Sequence, residues 1–382
     1  MSDSTKVRSD TADQTQAGVT RASVLPVAEI VTLYAASILA ALVVSALLVE
    51  ITGGSWRTVF SALLDGSIRN PGRWGTTIGT AIPLLLVALG TIVNAKAGLV
   101  NIGQEGQLLV GGAFGAYVMI HLDAPGTVVF VALVAAAIVG GAVWAGIAAV
   151  LRYWRNVPEV LTTLLLVSVA AQLVGFGFKR ESILLAPLPE GSATQVQQTV
   201  PVPEGARLSR VTVLGNEFPI SAFVALALAA FLAFVLARTV WGFRLRMLGR
   251  NPRTAHRAGV SSQRYGIVAM LISGAFAGLA GAFMLTGGDF GSYRFSPNFA
   301  VNIGWTGLLV ALVARERALF AIVIAFVFAG LRTGSGFLAS TGVERRITDV
   351  VQALLVLALL VPPAVLFVRE RRRAASATRA RT

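Results

Sequence analysis

Residues 101–107 read Asn-Ile-Gly-Gln-Glu-Gly-Gln and place three amides and a carboxylate within a stretch flanked on both sides by apolar sequence. The same N-I-G-x-x-G pattern returns as Asn302-Ile-Gly-Trp-Thr-Gly307. No nucleophile and base accompany either copy. The chain has no cysteine and two histidines, His121 and His256, far apart in sequence. Catalysis and metal binding are therefore not expected, and the chemistry on offer is hydrogen bonding. Amides can satisfy the backbone groups left free where a membrane helix is broken. A carboxylate facing lipid is costly, so Glu105 must face protein, water or a partner. Asn101, Gln104, Glu105, Gln107, Asn302, Trp305 and Thr306 are the candidate residues of a solute path. Glu105 reads as lining or bracing that path. It reads equally as an acid at a helix start, where the dipole favours it, with Lys96 as counter-ion.

The elements that position these residues are apolar. Hydrophobic residues make up 55% of the 382 and charged residues 13%, half of what a soluble domain carries. Mean hydropathy is +0.75. The expected fold is an all-α integral membrane protein. Segments close to the roughly 20 apolar residues a span needs occur at 28–48, 77–94, 106–121, 127–151, 159–177, 219–240, 265–286, 303–314, 318–334 and 347–368. The spans at 106–121, 303–314 and 318–334 are short, which suggests broken or re-entrant helices covered by protein.

With both termini cytoplasmic and the ten spans alternating, most of the 32 basic residues fall inside, as the positive-inside rule requires. These include Lys96, Arg152, Arg155, the arginines between 238 and 264, Arg315, Arg317 and the arginine-rich end. The formal net charge of +14 thus reflects topology and contact with anionic lipid rather than nucleic acid. The expected organisation is a disordered cytoplasmic tail over 1–27, a transmembrane domain over 28–368 and a basic cytoplasmic tail over 369–382. Within the domain, an external Pro- and Gln-rich loop, 178–218, separates the halves 28–177 and 219–368. In this topology the two N-I-G-x-x-G copies enter their spans from opposite sides. Opposed, Gly-interrupted short segments at corresponding positions mark inverted repeats around a midplane pathway. Glu159-Val-Leu-Thr-Thr and Asp349-Val-Val-Gln-Ala are a second, looser parallel.

Between two spans, residues 241–264 form the longest internal loop, with six arginines and no acid. Within it, Asn-Pro-Arg-Thr-Ala-His-Arg-Ala-Gly predicts a short helix: Asn251 caps, Pro252 takes the first turn and Gly259 ends it. The span that follows carries Gly274, Gly278 and Gly281, a spacing suited to close helix packing.

GLVNIGQEGQLLVGGAFGAYV, RNVPEVLTTLLL and LGRNPRTAHRAGVSSQRYGIVAMLISGAFAGLAGAF resemble, in this order, three motifs of one family. It is that of the permease subunits of ABC importers for branched-chain amino acids, ribose and nucleosides. The resemblance covers about residues 76–365, and the N-I-G-x-E-G-Q form is most similar to permeases of nucleoside importers. The chain departs at Val167-Ser168-Val169, where the family often has an Asn, and at Gly304-Trp-Thr-Gly. The resemblance implies a coupling helix over Arg250, Asn251, Pro252, Arg253, Ala255, Arg257 and Gly259, docked on a separate ATPase. It also implies a homologous second permease, as hetero- or homodimer, and an extracellular substrate-binding lipoprotein. Membership would mean no cofactor of its own, with ATP bound by the partner subunit. Consistently, Lys6, Lys96 and Lys179 are the only lysines and none follows a glycine, so the Gly-Lys-Ser/Thr of a phosphate-binding loop is missing.

The expected function is therefore permeation of a small polar solute, a nucleoside first, across a bacterial cell membrane and not catalysis. The alternatives are a permease for a simple sugar such as ribose, or an ion-coupled secondary transporter using Glu105, Glu159 or Asp349.

Overall fold

A computed structural model describes residues 27–51, 55–180, 183–188, 195–213, 215–288, 290, 293–299, 301–338 and scattered positions between 350 and 369. It is almost entirely helical. In chain order the helices are α1 (Val27–Ile51), α2 (Trp56–Leu64), α3 (Arg73–Lys96), α4 (Gln104–His121), α5 (Gly126–Arg155), α6 (Glu159–Gly177), α7 (Ser221–Arg238), α8 (Val240–Arg250), α9 (Pro252–Arg257), α10 (Ser262–Gly287), α11 (Ile303–Val313) and α12 (Ala318–Leu338). A π-helical turn, Asp65–Arg69, follows α2. The strands β1 (Arg210–Val213) and β2 (Asn216–Pro219) form an antiparallel hairpin before α7.

Among the described residues, seven helices are long and apolar enough to cross a membrane: α1, α3, α5, α6, α7, α10 and α12. The chain is thus a multi-pass membrane protein by length and composition of its helices. The tenth expected span, 347–368, and Asp349 fall largely outside the described residues, as do both expected tails. Four elements depart from expectation. The span expected to be short at 318–334 is the continuous 21-residue α12, long enough to cross. The segment read as an internal loop is mostly helix, α8 and α9, broken where Asn251 is extended. Before α3 lie α2 and the π turn, too short to register as a span. The 178–218 stretch contains the hairpin; Val211-Thr-Val followed by Gly215 at φ 76° is the alternation-then-turn pattern that signals it.

The chain divides into two compact units, Met1–Ser45 with Leu354–Thr382, and Ala46–Ala353. In the first, Ser37 Oγ donates to the Ala358 carbonyl (2.7 Å) and Arg369 pairs with Glu29 (2.8 Å).

In the second unit α3 is the central helix, with 83% of its apolar window buried against 28% for α6 and α7. Without water to drive apolar association in a bilayer, close backbone approach must hold such helices together. The predicted glycine stripe does this. A methyl group on Gly278 would strike the Ala137 carbonyl of α5, and one on Gly274 the Gly141 carbonyl. Gly281 meets the Leu108 carbonyl of α4 at 2.8 Å in the same sense.

The connections of this unit gather into two groups. In one, the Pro- and Gln-rich stretch bonds to the segment after α10, through Thr199 N to Phe295 O and Val202 N to Tyr293 O, both 2.9 Å. In the other, the α3–α4 turn, α8 and the α11–α12 turn meet. That second group contains Lys96, Arg246, Arg250, Arg315 and Arg317.

Candidate functional site

Local chemistry sets the start of α4. The Asn101 carboxamide oxygen accepts from Gly103 N at 3.0 Å, folding the chain back on itself just ahead of the helix. The same side chain exchanges a reciprocal pair with Gln107, both bonds 3.0 Å, and donates to Ser273 Oγ of α10 at 3.1 Å. Both polar atoms of the Asn101 side chain are thereby occupied. In the orientation that satisfies both its ends, Gln104 accepts from Thr91 Oγ1 of α3 at 2.5 Å and donates to the Val87 carbonyl at 2.9 Å. Asn101, Gln104 and Gln107 are each at most 2% exposed. Buried amides must be paired, because an orphan costs about 1–3 kcal/mol. Here they tie α4 to α3 and α10.

The second sequence motif joins the same cluster. Thr163 of α6 accepts from Ile102 N at 3.3 Å and is itself held by donation to the Glu159 carbonyl at 2.7 Å. Glu159 pairs with Arg152 at 3.1 Å across the α5–α6 turn.

Glu105 reaches the other copy of the pattern. Its two carboxylate oxygens accept from Asn302 N and Gly304 N, each at 2.6 Å. These are free amides at the start of α11, so the carboxylate caps that helix and meets its positive end. A methyl group on Gly304 would collide with the Glu105 backbone. The amino-terminal ends of α4 and α11 therefore abut. α11 has 11 residues, about 16 Å at 1.5 Å per residue, half the thickness of a hydrocarbon core. Lys96, the alternative counter-ion, is not at this site; it pairs with Glu316 at 2.9 Å.

The structure places Asn302 and Trp305 outward, Trp305 being 39% exposed. Thr306 is buried and donates to the Asn302 carbonyl at 2.6 Å. Arg332 of α12 lies beside them, bonding the Val301 carbonyl at 3.3 Å. Sequence reasoning missed Arg332, Ser273 and Thr91. The first has a recognisable signal: an isolated cation inside an apolar helix, which in a membrane faces protein or water and marks function. The hydroxyls carry no such signal, since Ser and Thr commonly bond their own helix.

The short helix after Asn251 is built as predicted. Asn251 Oδ1 caps α9 by accepting from Thr254 N at 3.1 Å, Pro252 occupies the first turn, and Gly259 follows the helix at φ 77°. Ala255 is fully buried with Leu248 and Val260, while Arg250, Arg253 and Arg257 are exposed. This short helix is anchored by one apolar residue and presents its cations outward. Gly249 sits so close to the turn after α3 that a methyl group there would strike the Lys96 carbonyl. Gly98, at φ 76°, faces Gly249 in turn: a methyl group on it would lie 3.0 Å from the Gly249 Cα.

A family model described as the permease component of branched-chain amino acid transport systems matches residues 75–360. A glucose ABC transporter permease protein of Haloferax volcanii is 34% identical over 73% of this chain and 74% of its own length. The guanosine ABC transporter permease protein NupP of Bacillus subtilis is 30% identical over 87% and 93% respectively. A second guanosine permease protein of that organism, NupQ, is 27% identical over 54% and 64%.

Proposed function

Since the chain belongs to the permease family of branched-chain amino acid transport systems, a family of transport proteins rather than enzymes, we propose that it conducts a nucleoside into the cell as one permease subunit of an ABC importer. The observation that carries this solute is the likeness to NupP, which spans nearly the whole of both chains. A sugar is the second reading, favoured by the more identical but shorter match to the Haloferax glucose permease. The two chemistries overlap, because a nucleoside contains a pentose.

In this reading the two halves are inverted repeats within about ten spans, both termini are cytoplasmic and the membrane is that of a bacterial cell. The abutting starts of α4 and α11 are the feature such a repeat would produce at its symmetry point. Asn101, Gln104, Gln107 and Thr306 brace the path. Asn302, Trp305 and Arg332 face it, and Glu105 clamps the two short helices together. A second permease subunit closes the conduit on that side. The match to both NupP and NupQ supports two related permeases in one transporter.

ATP is bound and hydrolysed on a separate subunit that receives α9, and this chain needs no cofactor of its own. Force entering at α9 would pass from Gly249 to the Lys96–Gly98 turn by backbone contact. From there the short link to Asn101 leads to Glu105 and so to α11. A substrate-binding lipoprotein supplies solute at the opposite face. The test is a binding titration of that lipoprotein with nucleosides and with ribose or glucose. Saturable binding of a nucleoside alone supports the reading, and binding of free sugar alone replaces it with the second.

A further inference from the structure

Where α3 and α7 end beside α8 and the α11–α12 turn, a groove of about 600 Å³ opens. Its mouth carries Lys96, Arg246, Glu316 and Arg317, and its walls are apolar, formed by α7 and by Leu319 and Phe320 of α12. We propose that this groove seats an anionic phospholipid, with the headgroup phosphate between Arg246 and Arg317 and the acyl chains along α7 and α12.

The charge balance points to an anion. Lys96 and Glu316 pair at 2.9 Å and offset each other. Arg246 and Arg317 have no carboxylate partner among the described residues, so the groove retains a surplus of two positive charges. Arg315 and Glu316 both hold left-handed backbone, at φ 52° and 55°, unusual for residues with side chains. That turn brings Glu316 and Arg317 to the groove.

The apolar walls point to a lipid rather than free phosphate. Leu319 and Phe320 are 57% and 42% exposed. They open α12, one of the seven membrane-length helices, while α7, another, ends at Arg238 on the same groove. Cations at the ends of two such helices lie at headgroup depth, and basic pockets between helices there hold anionic headgroups. Dissolved phosphate has no use for an exposed Leu and Phe beside its cations. The seat also touches each part of the coupling route: Lys96, whose carbonyl meets Gly249; Arg246 of α8; and the turn that ends α11.

The experiment is native mass spectrometry of the full chain from micelles containing equal phosphatidylglycerol and phosphatidylcholine. The expected result is selective retention of phosphatidylglycerol, lowered roughly thirty-fold in R246Q/R317Q. R246K/R317K, which keeps the charge, should retain the lipid and controls for folding. R253Q/R257Q removes the same charge from α9 and should also retain it. Equal retention of the two lipids, or equal loss in R253Q/R257Q, overturns the proposal. Displacement by excess glycerol 3-phosphate would make this a site for soluble phosphate and overturn it likewise. So would an assembled transporter in which a carboxylate of the ATPase pairs with Arg317 and no lipid remains.

Discussion

Glu105 is the residue on which two helices depend. Its carboxylate takes two amides at the start of α11, and a charge-assisted hydrogen bond contributes about 1.5–3 kcal/mol. Glu105→Gln keeps the shape but loses the charge and one acceptor. It should lower stability by about 2 kcal/mol, read as a fall in the thermal midpoint of the detergent-solubilised chain, and should reduce uptake in the assembled importer. Unchanged midpoint and unchanged uptake would remove the clamp. Asn101 poses a different case. Asn101→Leu strands the buried Gln107 amide, at about 1–3 kcal/mol, whereas Asn101→Leu combined with Gln107→Met should cost less than the sum of the two single changes. A double-mutant cycle measures the coupling, and simple additivity would mean the pair in the structure is not an energetic unit.

At the scale of elements the question is how α9 speaks to α4. Gly249→Ala pushes a methyl group against the Lys96 carbonyl. Overpacking of this kind costs about 1–3 kcal/mol. The expected outcome is weaker stimulation of the partner ATPase by solute-loaded binding protein, with the folded chain still recovered. Gly175→Ala, where nothing lies within 4 Å, should leave stimulation untouched. Charge reversal of Arg250, Arg253 and Arg257 together should leave basal ATP hydrolysis running while uptake fails, because these exposed cations are not holding the chain's own fold. Normal uptake by that triple variant would take the coupling role away from α9. This helix was legible in advance for a local reason: an Asn cap, a Pro at the first position and a Gly just past the end all act within a few residues. α8 was not, because its arginines resemble any positive-inside connection and its apolar face shows only once Leu245 and Leu248 are seen buried.

For the whole molecule, the prediction concerns energy. The chain reconstituted alone in liposomes should not accumulate solute against a gradient, and accumulation should require the ATPase and respond to ATP rather than to the proton gradient. Accumulation by the chain alone would overturn the importer reading.

Much of this architecture could be read directly from residue order. A bilayer demands long apolar helices and basic connections on one side, and both requirements are written in composition and spacing. The presence of two N-I-G-x-x-G copies was equally visible. Tertiary structure alone decided that their helices meet end to end, that Glu105 serves the second copy rather than Lys96, and that Lys96 turns to Glu316. It also alone brought Thr163, Ser273 and Arg332 to the same place. The physical reason is distance along the chain: Glu105 and Asn302 are separated by 197 positions. Periodicity and capping act over a single turn, so which helix end receives a buried carboxylate is settled only when the helices pack.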